Sequence, residues 1–483
     1  MKKTAIKETR NFIGGQWISA KDESIAVYNP ANPEELVAVL QNSSTEEVNL
    51  AVEAAVAAKE KWGFTSGPDR AKCLEQAASL FEKYADELAE LATKEMGKRL
   101  AETKGEVYRS AAILRYFAGE GFRKSGELLP SADPTNLFFA KRVPVGVVAV
   151  IAPWNFPLAI PVWKMAPALV YGNTVVFKPA LEASATGARI VEIFSEAGFP
   201  PGTINLVIGR GSRIGDAIVD HKQVDAITFT GSNEVGSEIA KKAAARGAKY
   251  QLELGGKNPA IVLKDADIDL AARLVVEGAM KQSGQRCTAT SRVFVEKEIL
   301  SAFQEKVLAE IQSIQVGDGM NPEVTMGPVV SKRQFNSILR YIETGKREGR
   351  LLTGGKACEG LDGWYIEPTV FDRVRSDAVI AKEEIFGPVL AIIESASLDK
   401  AIQEANDSIY GLSASIFTND LSKALYFIDR IEAGMIQVNG ETGGAEPQAP
   451  FGGMKQSSSG TREQGQAAVE FFTAYKTVSI RSH

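Results

Sequence analysis

Between residues 143 and 230 short apolar runs alternate with helical patterns. Residues 145–151 (VGVVAVI) predict a buried strand, 158–171 a helix and 173–177 a second strand. A helix at 183–197 and strands at 203–207 and 226–230 follow. Apolar runs of roughly four to eight residues, rich in valine and isoleucine and bounded by Gly, Pro or Asn, favour strands that are buried on both faces. This β-α-β-α rhythm predicts an α/β architecture built on a doubly wound parallel sheet, with ligands at the carboxyl ends of its strands. A second series runs from about residue 260 to 438, with strands at 260–263, 291–295 and 389–393. Upstream, residues 12–17 predict a strand and tight turn, and 29–33 a loop. Ser44 heads an Ala-rich helix to residue 62, and helical patterns run from 68 to about 119. Residues 471–480 predict one more strand. No repeat, charge block or low-complexity linker interrupts the chain, so closely packed lobes are expected.

Length and composition narrow the class. At 483 residues the expectation is roughly three domains or lobes. Hydrophobic residues make up 45% and charged residues 24%, so large cores are expected. A net charge of −5 with interspersed signs argues against nucleic acid or an anionic membrane as the partner. The basic opening lacks an apolar run behind it, which excludes a signal peptide. The most apolar stretch, 143–153, is short and broken by Pro144 and Gly146, so it is no membrane span. Three cysteines, Cys73, Cys287 and Cys358, suit a reducing, cytoplasmic compartment and not a disulfide framework. The two histidines, His221 and His483, leave Cys/His metal sites without ligands, so no metal is expected. Any general base is then a carboxylate or a lysine.

Three segments could carry chemistry. Cys287 follows a glycine turn and adjoins Arg286, whose guanidinium can stabilise a thiolate; the alternative is a small buried residue. Glu253 ends an apolar strand just before two glycines. It is either salt-bridged or poised by burial as a base. Asn155, among aromatics and prolines after a strand, is either a turn residue or a rigid donor to a developing oxyanion. Gly231 and Ser232 lie where a strand feeds a helix, with backbone N–H groups free for a phosphate. Neither this segment nor Gly209–Gly215 has the G-x-G-x-x-G pattern.

Together these segments resemble the aldehyde dehydrogenase superfamily from near residue 10 to the C-terminus. The resemblance rests on PWNFP from Pro153, Lys178-Pro179, FTGS from Phe229, LELGGK from Leu252, GQRC from Gly284, EIFGP from Glu384 and PFGGMK from Pro450. Glu253 and Cys287 are 287 − 253 = 34 residues apart, as base and nucleophile are in that family. It implies two doubly wound parallel-sheet lobes and a small β oligomerisation extension. Residues 1–125 and 145–252 would form the dinucleotide-binding domain and 253–438 the catalytic domain. Residues 126–144 and 465–483 would form the oligomerisation strands of a homodimer or homotetramer.

The resemblance also implies roles. Cys287 would attack the aldehyde carbon, Asn155 and the Cys287 N–H would hold the oxyanion, and Glu253 would activate water against the thioester. Lys164 and Glu463 match a pair that relays the proton or serves only as a structural ion pair. Trp154, Lys178, Leu181, Gly231, Ser232, Glu384 and Phe386 would line the cofactor site. NAD-selective members often carry a glutamate where this chain has Leu181, and Glu182 lies one place later. NADP is therefore favoured, with NAD tolerated. Within the superfamily the chain resembles the α-ketoglutaric semialdehyde (2,5-dioxopentanoate) dehydrogenases, with succinate-semialdehyde dehydrogenases as neighbours. Trp163 stands where many of the latter have arginine. Lys281 and Arg286 would clamp a distal carboxylate. A cysteine esterase and a non-catalytic binding protein are the competing classes; the lack of a histidine partner disfavours the first, and the three intact site residues disfavour the second.

Overall fold

The computed structural model describes residues 7–19 and 23–481; the basic opening segment and His483 lie outside the described residues. Its framework is two parallel sheets. The first has eight strands, centred on Val147–Ile151, which pairs in parallel with Thr174–Lys178 on one side and Ala226–Thr230 on the other. The chain winds outward first through Thr174–Lys178 and Ile204–Leu206, then returns to add Ala226–Thr230 and Lys249–Glu253 on the opposite side. This reversal opens a crevice at the carboxyl ends of Val147–Ile151 and Ala226–Thr230. Valine and isoleucine fill both faces of the central strand, Val147 to Val150 being wholly buried, as a sheet covered on both sides requires. Antiparallel strands close its two edges: the Asn11–Ile13/Gln16–Ile18 hairpin and the late-coming Ser458–Ser459.

The second sheet has seven strands. Asn258–Val262 lies between Thr290–Glu296 and Ser413–Phe417, and only the edge strand Arg350–Thr353 runs antiparallel. Four residues, 254–257, connect Glu253 in the first sheet to Asn258 in the second.

The helices begin where the polar pattern sets them. Ser44 caps Thr45–Phe64 in a capping box with Glu47, which satisfies N–H groups that would otherwise lack partners. The 68–119 region resolves into Gly67–Lys83, Ala85–Met96 and Leu100–Glu120, separated at Tyr84 and at Gly97, whose φ of 86° stops the helix. Leu100–Glu120 packs along Ala159–Val170, sealing the first sheet's core.

Two expectations are corrected. Residues 471 and 472 are not strand: they end the helix Ala467–Phe472, because both phenylalanines turn into the core and pack edge-to-face at 4.8 Å. The strand begins at Thr473 and runs to Arg481. It pairs over nine residues with Asn136–Pro144, which also holds Gly126–Leu129 in a three-stranded antiparallel extension. The 29–33 loop is shorter than expected, since Asn32–Gln41 is already strand and pairs with Ser24–Asn29.

Candidate active site

The nucleophile segment is a strained turn. After the helix Ile268–Met280, Gln282, Ser283 and Gly284 take φ values of 54°, 55° and 68°. Left-handed backbone is costly for the two non-glycine residues and persists only when surroundings enforce it. Three side chains do so. Gln282 Nε2 donates to the Asn155 carbonyl, Ser283 Oγ donates to the Gly327 carbonyl at 2.7 Å, and Gln285 Oε1 accepts from the Val330 N–H at 2.9 Å. A Cβ at Gly284 would collide with the Gly387 carbonyl. The turn delivers Cys287, whose carbonyl accepts from Asn258 Nδ2 at 2.8 Å. Gly256 lies so close that a Cβ there would sit 2.6 Å from the same oxygen. Cys287 is half-buried. The dense surroundings push its thiol up to about 12, with Glu384 and Glu253 adding to the effect and Arg286 opposing it. The thiolate-stabilising influence expected of Arg286 is therefore present but outweighed by burial.

Glu253 ends its strand nine-tenths or more buried. Its Oε2 accepts from Ser458 Oγ at 2.6 Å, while Oε1 has no hydrogen-bond partner. Burial first, and the nearby Glu463 carboxylate second, hold its pKa well above the usual carboxylate range. Lys164 and Glu463 form a buried ion pair beside it, and Thr228 Oγ1 lies 2.9 Å from Lys164 Nζ and 3.2 Å from Glu463 Oε1. Two acids thus share one lysine in a dry setting.

Asn155 follows the central strand of the first sheet and donates from Nδ2 to the Gln285 carbonyl at 3.1 Å. The carboxamide therefore faces the turn that carries Cys287, and its second N–H remains to be given.

The predicted cofactor residues follow the carboxyl ends of first-sheet strands or, for Glu384 and Phe386, lie in a loop of the second lobe. Trp154 meets Phe386 edge-to-face at 5.5 Å, joining a loop of each lobe. Ser232 caps the helix Asn233–Ala245, accepting from the Val235 N–H at 3.5 Å, and Gly231 bonds to the Glu253 carbonyl. Glu384 Oε1 accepts from the Gly256 N–H at 2.9 Å; burial raises its carboxyl to about 7, against the pull of Lys257. Lys178 is buried at its strand end, donates among the described residues only to the Pro179 carbonyl at 3.2 Å, and is lowered to about 8 by desolvation despite Glu182. Leu181 packs against the core. A stacking slot, a helix N-terminus, a spare ammonium and an acid at one crevice match the parts of a dinucleotide.

Trp163 is buried and packs on Phe451 at 5.3 Å, and its Nε1 has no hydrogen-bond partner among the described residues. Lys281 and Arg286, expected to clamp a distal carboxylate, both meet carboxylates of this chain. Glu441 accepts from Arg286 Nη2 at 3.1 Å and lies 3.4 Å from Lys281 Nζ, and Glu277 also holds Lys281 at 3.0 Å. Both cations are already neutralised by carboxylates. Sequence reasoning assigned nothing to Asn258 or Ser458. Both lie inside or beside quoted motifs, but an asparagine in a strand and a serine in a serine run carry no signal of their own. Cys73 and Cys358 lie in a helix and a surface loop. No cluster of metal-ligating side chains occurs among the described residues, and none of their helices is long and apolar enough to cross a membrane.

Two wound sheets with a thiol, a carboxylate and a carboxamide converging between them beside a dinucleotide crevice define a nicotinamide-dependent oxidoreductase of the thioester-forming type. The aldehyde dehydrogenase family model matches residues 17–478, and the chain belongs to that family. It is 53% identical to the α-ketoglutaric semialdehyde dehydrogenase of Bacillus subtilis, over 98% of each chain. It is 44% identical to the 2,5-dioxopentanoate dehydrogenase of Saccharolobus solfataricus, over 96% of this chain and 98% of that one. The crystal structure of betaine aldehyde dehydrogenase from Staphylococcus aureus in complex with NAD+ superposes with a TM-score of 0.95 at 35% identity, covering 98% and 95% of the two chains.

Proposed function

We propose that this aldehyde dehydrogenase oxidises a carboxylated semialdehyde, 2,5-dioxopentanoate foremost, to the corresponding acid. Full-length identity of 53% to a relative of that name carries the reading of the substrate. Succinate semialdehyde is the runner-up. Cys287 attacks the aldehyde carbon, and Asn155 with the Cys287 N–H holds the oxygen that becomes negative. Because burial opposes a standing thiolate, the thiol proton leaves as attack proceeds, toward Glu253. The bound nicotinamide supplies the hydride acceptor that turns the adduct into a thioester. Glu253, reionised through Glu463 and Lys164, then takes a proton from the water that cleaves it.

Trp154, Phe386, Lys178, Gly231, Ser232 and Glu384 hold the cofactor. With Leu181 in place of an acid and Lys178 unpaired by any carboxylate, NADP is preferred and NAD accepted. The three-stranded extension assembles a homodimer or homotetramer, and the enzyme works in the cytoplasm. A panel of ω-aldehyde acids and neutral aldehydes, each with NADP and NAD, tests the reading through kcat/KM measured by cofactor absorbance. The expected order is 2,5-dioxopentanoate first and NADP ahead of NAD. A neutral aldehyde turned over fastest would refute the substrate class, and Cys287→Ala retaining turnover would refute the nucleophile.

A further inference from the structure

If the substrate carries a distal carboxylate, some cation must be left to meet it, and neither Lys281 nor Arg286 is. The helix Leu100–Glu120 provides another. Its positions 102, 106 and 109 share one face, being four and seven residues apart. Each touches a different wall of the site. Glu102 Oε1 accepts from the Gln282 N–H of the nucleophile turn at 3.3 Å. Glu106 Oε1 accepts from the Leu158 and Ala159 N–H groups, three and four residues past Asn155, both at 2.8 Å. Arg109 Nη2 donates to the Ala445 carbonyl.

Ala445 belongs to a segment, 442–451, that reaches the residue next to Cys287. In that segment Thr442 Oγ1 donates to the Thr288 carbonyl, next to Cys287, at 2.8 Å, and Phe451 packs on Trp163. Arg109 therefore joins this segment to the helix that, through Glu102 and Glu106, holds the nucleophile turn and the residues after Asn155. It is partly buried, and among the described residues it makes no ion pair. The two acids whose charge reaches it are otherwise engaged: Glu106 is bound to Lys98 at 2.6 Å and to the two N–H groups above, and exposed Glu446 accepts from Gln448. A guanidinium has five N–H donors, always charged, and only one is committed here.

We propose that Arg109 is the residue that receives the distal carboxylate of the aldehyde, in a charge-assisted and bidentate contact. The inference rests on the carboxylated-substrate reading above and adds the residue that recognises it. It is tested by kcat/KM for an ω-aldehyde acid and for the neutral aldehyde of equal chain length, in the wild type, Arg109→Gln, Arg109→Lys and Lys281→Gln. Arg109→Gln is expected to lose about 10- to 100-fold on the acid, chiefly through KM, and to stay within about twofold on the neutral aldehyde. Arg109→Lys recovers part of the loss. Activity on the neutral aldehyde and an unchanged Tm report that each variant folds. Equal losses on both substrates in Arg109→Gln and Arg109→Lys overturn the proposal, as does a preference that survives Arg109→Gln or disappears only in Lys281→Gln. A wild type with no preference for the acid removes the substrate reading as well, so the two failures are separable.

Discussion

Glu253 combines two properties that rarely coexist on an exposed carboxyl: one oxygen anchored by Ser458 and the other free and dry. Glu253→Gln keeps the shape and removes the base. The expected result is turnover slowed about 10²- to 10⁴-fold, with the first equivalent of reduced cofactor, read by rapid mixing, also formed more slowly because the thiol proton loses its acceptor. Unchanged rates of both phases would contradict the assignment. The pH dependence has a definite sign. A base must be ionised to act, so activity falls as pH drops through its pKa, and a raised pKa moves that acidic limb above the ordinary carboxylate range. The Ser458 hydrogen bond favours the ionised form. Ser458→Ala should therefore shift the limb of the kcat profile further upward, while kcat at the alkaline plateau changes little. A downward shift would contradict the assignment.

At the scale of elements, two turns show different kinds of dependence. Gly284→Ala puts a methyl at φ 68° and against the Gly387 carbonyl, so the turn must move. Loss of more than about tenfold in kcat is expected, since a small misplacement of a nucleophile is costly. Ser44→Ala removes a cap on a helix remote from the cysteine. It should cost about 1 kcal/mol in denaturant unfolding and leave kcat unchanged. The contrast also explains what could be read in advance. Ala226–Thr230 matches its expected bounds because isoleucine, phenylalanine and two β-branched threonines, all buried, favour a strand. Residues 471–472 were misread because two apolar residues satisfy a strand and a helix end equally, and only the core they enter decides. Likewise, spacing and motif order pointed to Cys287, Glu253 and Asn155, and the structure brings their segments together. Glu441, which occupies Lys281 and Arg286, comes from a loop far along the chain, and no local pattern announces that encounter.

Across the whole molecule, the extension formed by Asn136–Pro144 and Thr473–Arg481 leaves Leu137, Tyr475 and Ile480 about half exposed. Such an apolar edge invites another chain. Ending the chain at Phe472 should shift the light-scattering mass to a smaller species or to aggregate, and an unchanged mass would count against assembly through this edge. The link between the sheets has a different consequence. Residues 254–257 reach at most about 14 Å when fully drawn out. Glu253 is fixed at one end by its strand, and Asn258 at the other grips the carbonyl of Cys287. Opening the two halves about this link would break the bonds that join Asn155 of one lobe to Gln282 and Gln285 of the other, and so pull the carboxamide away from the nucleophile turn.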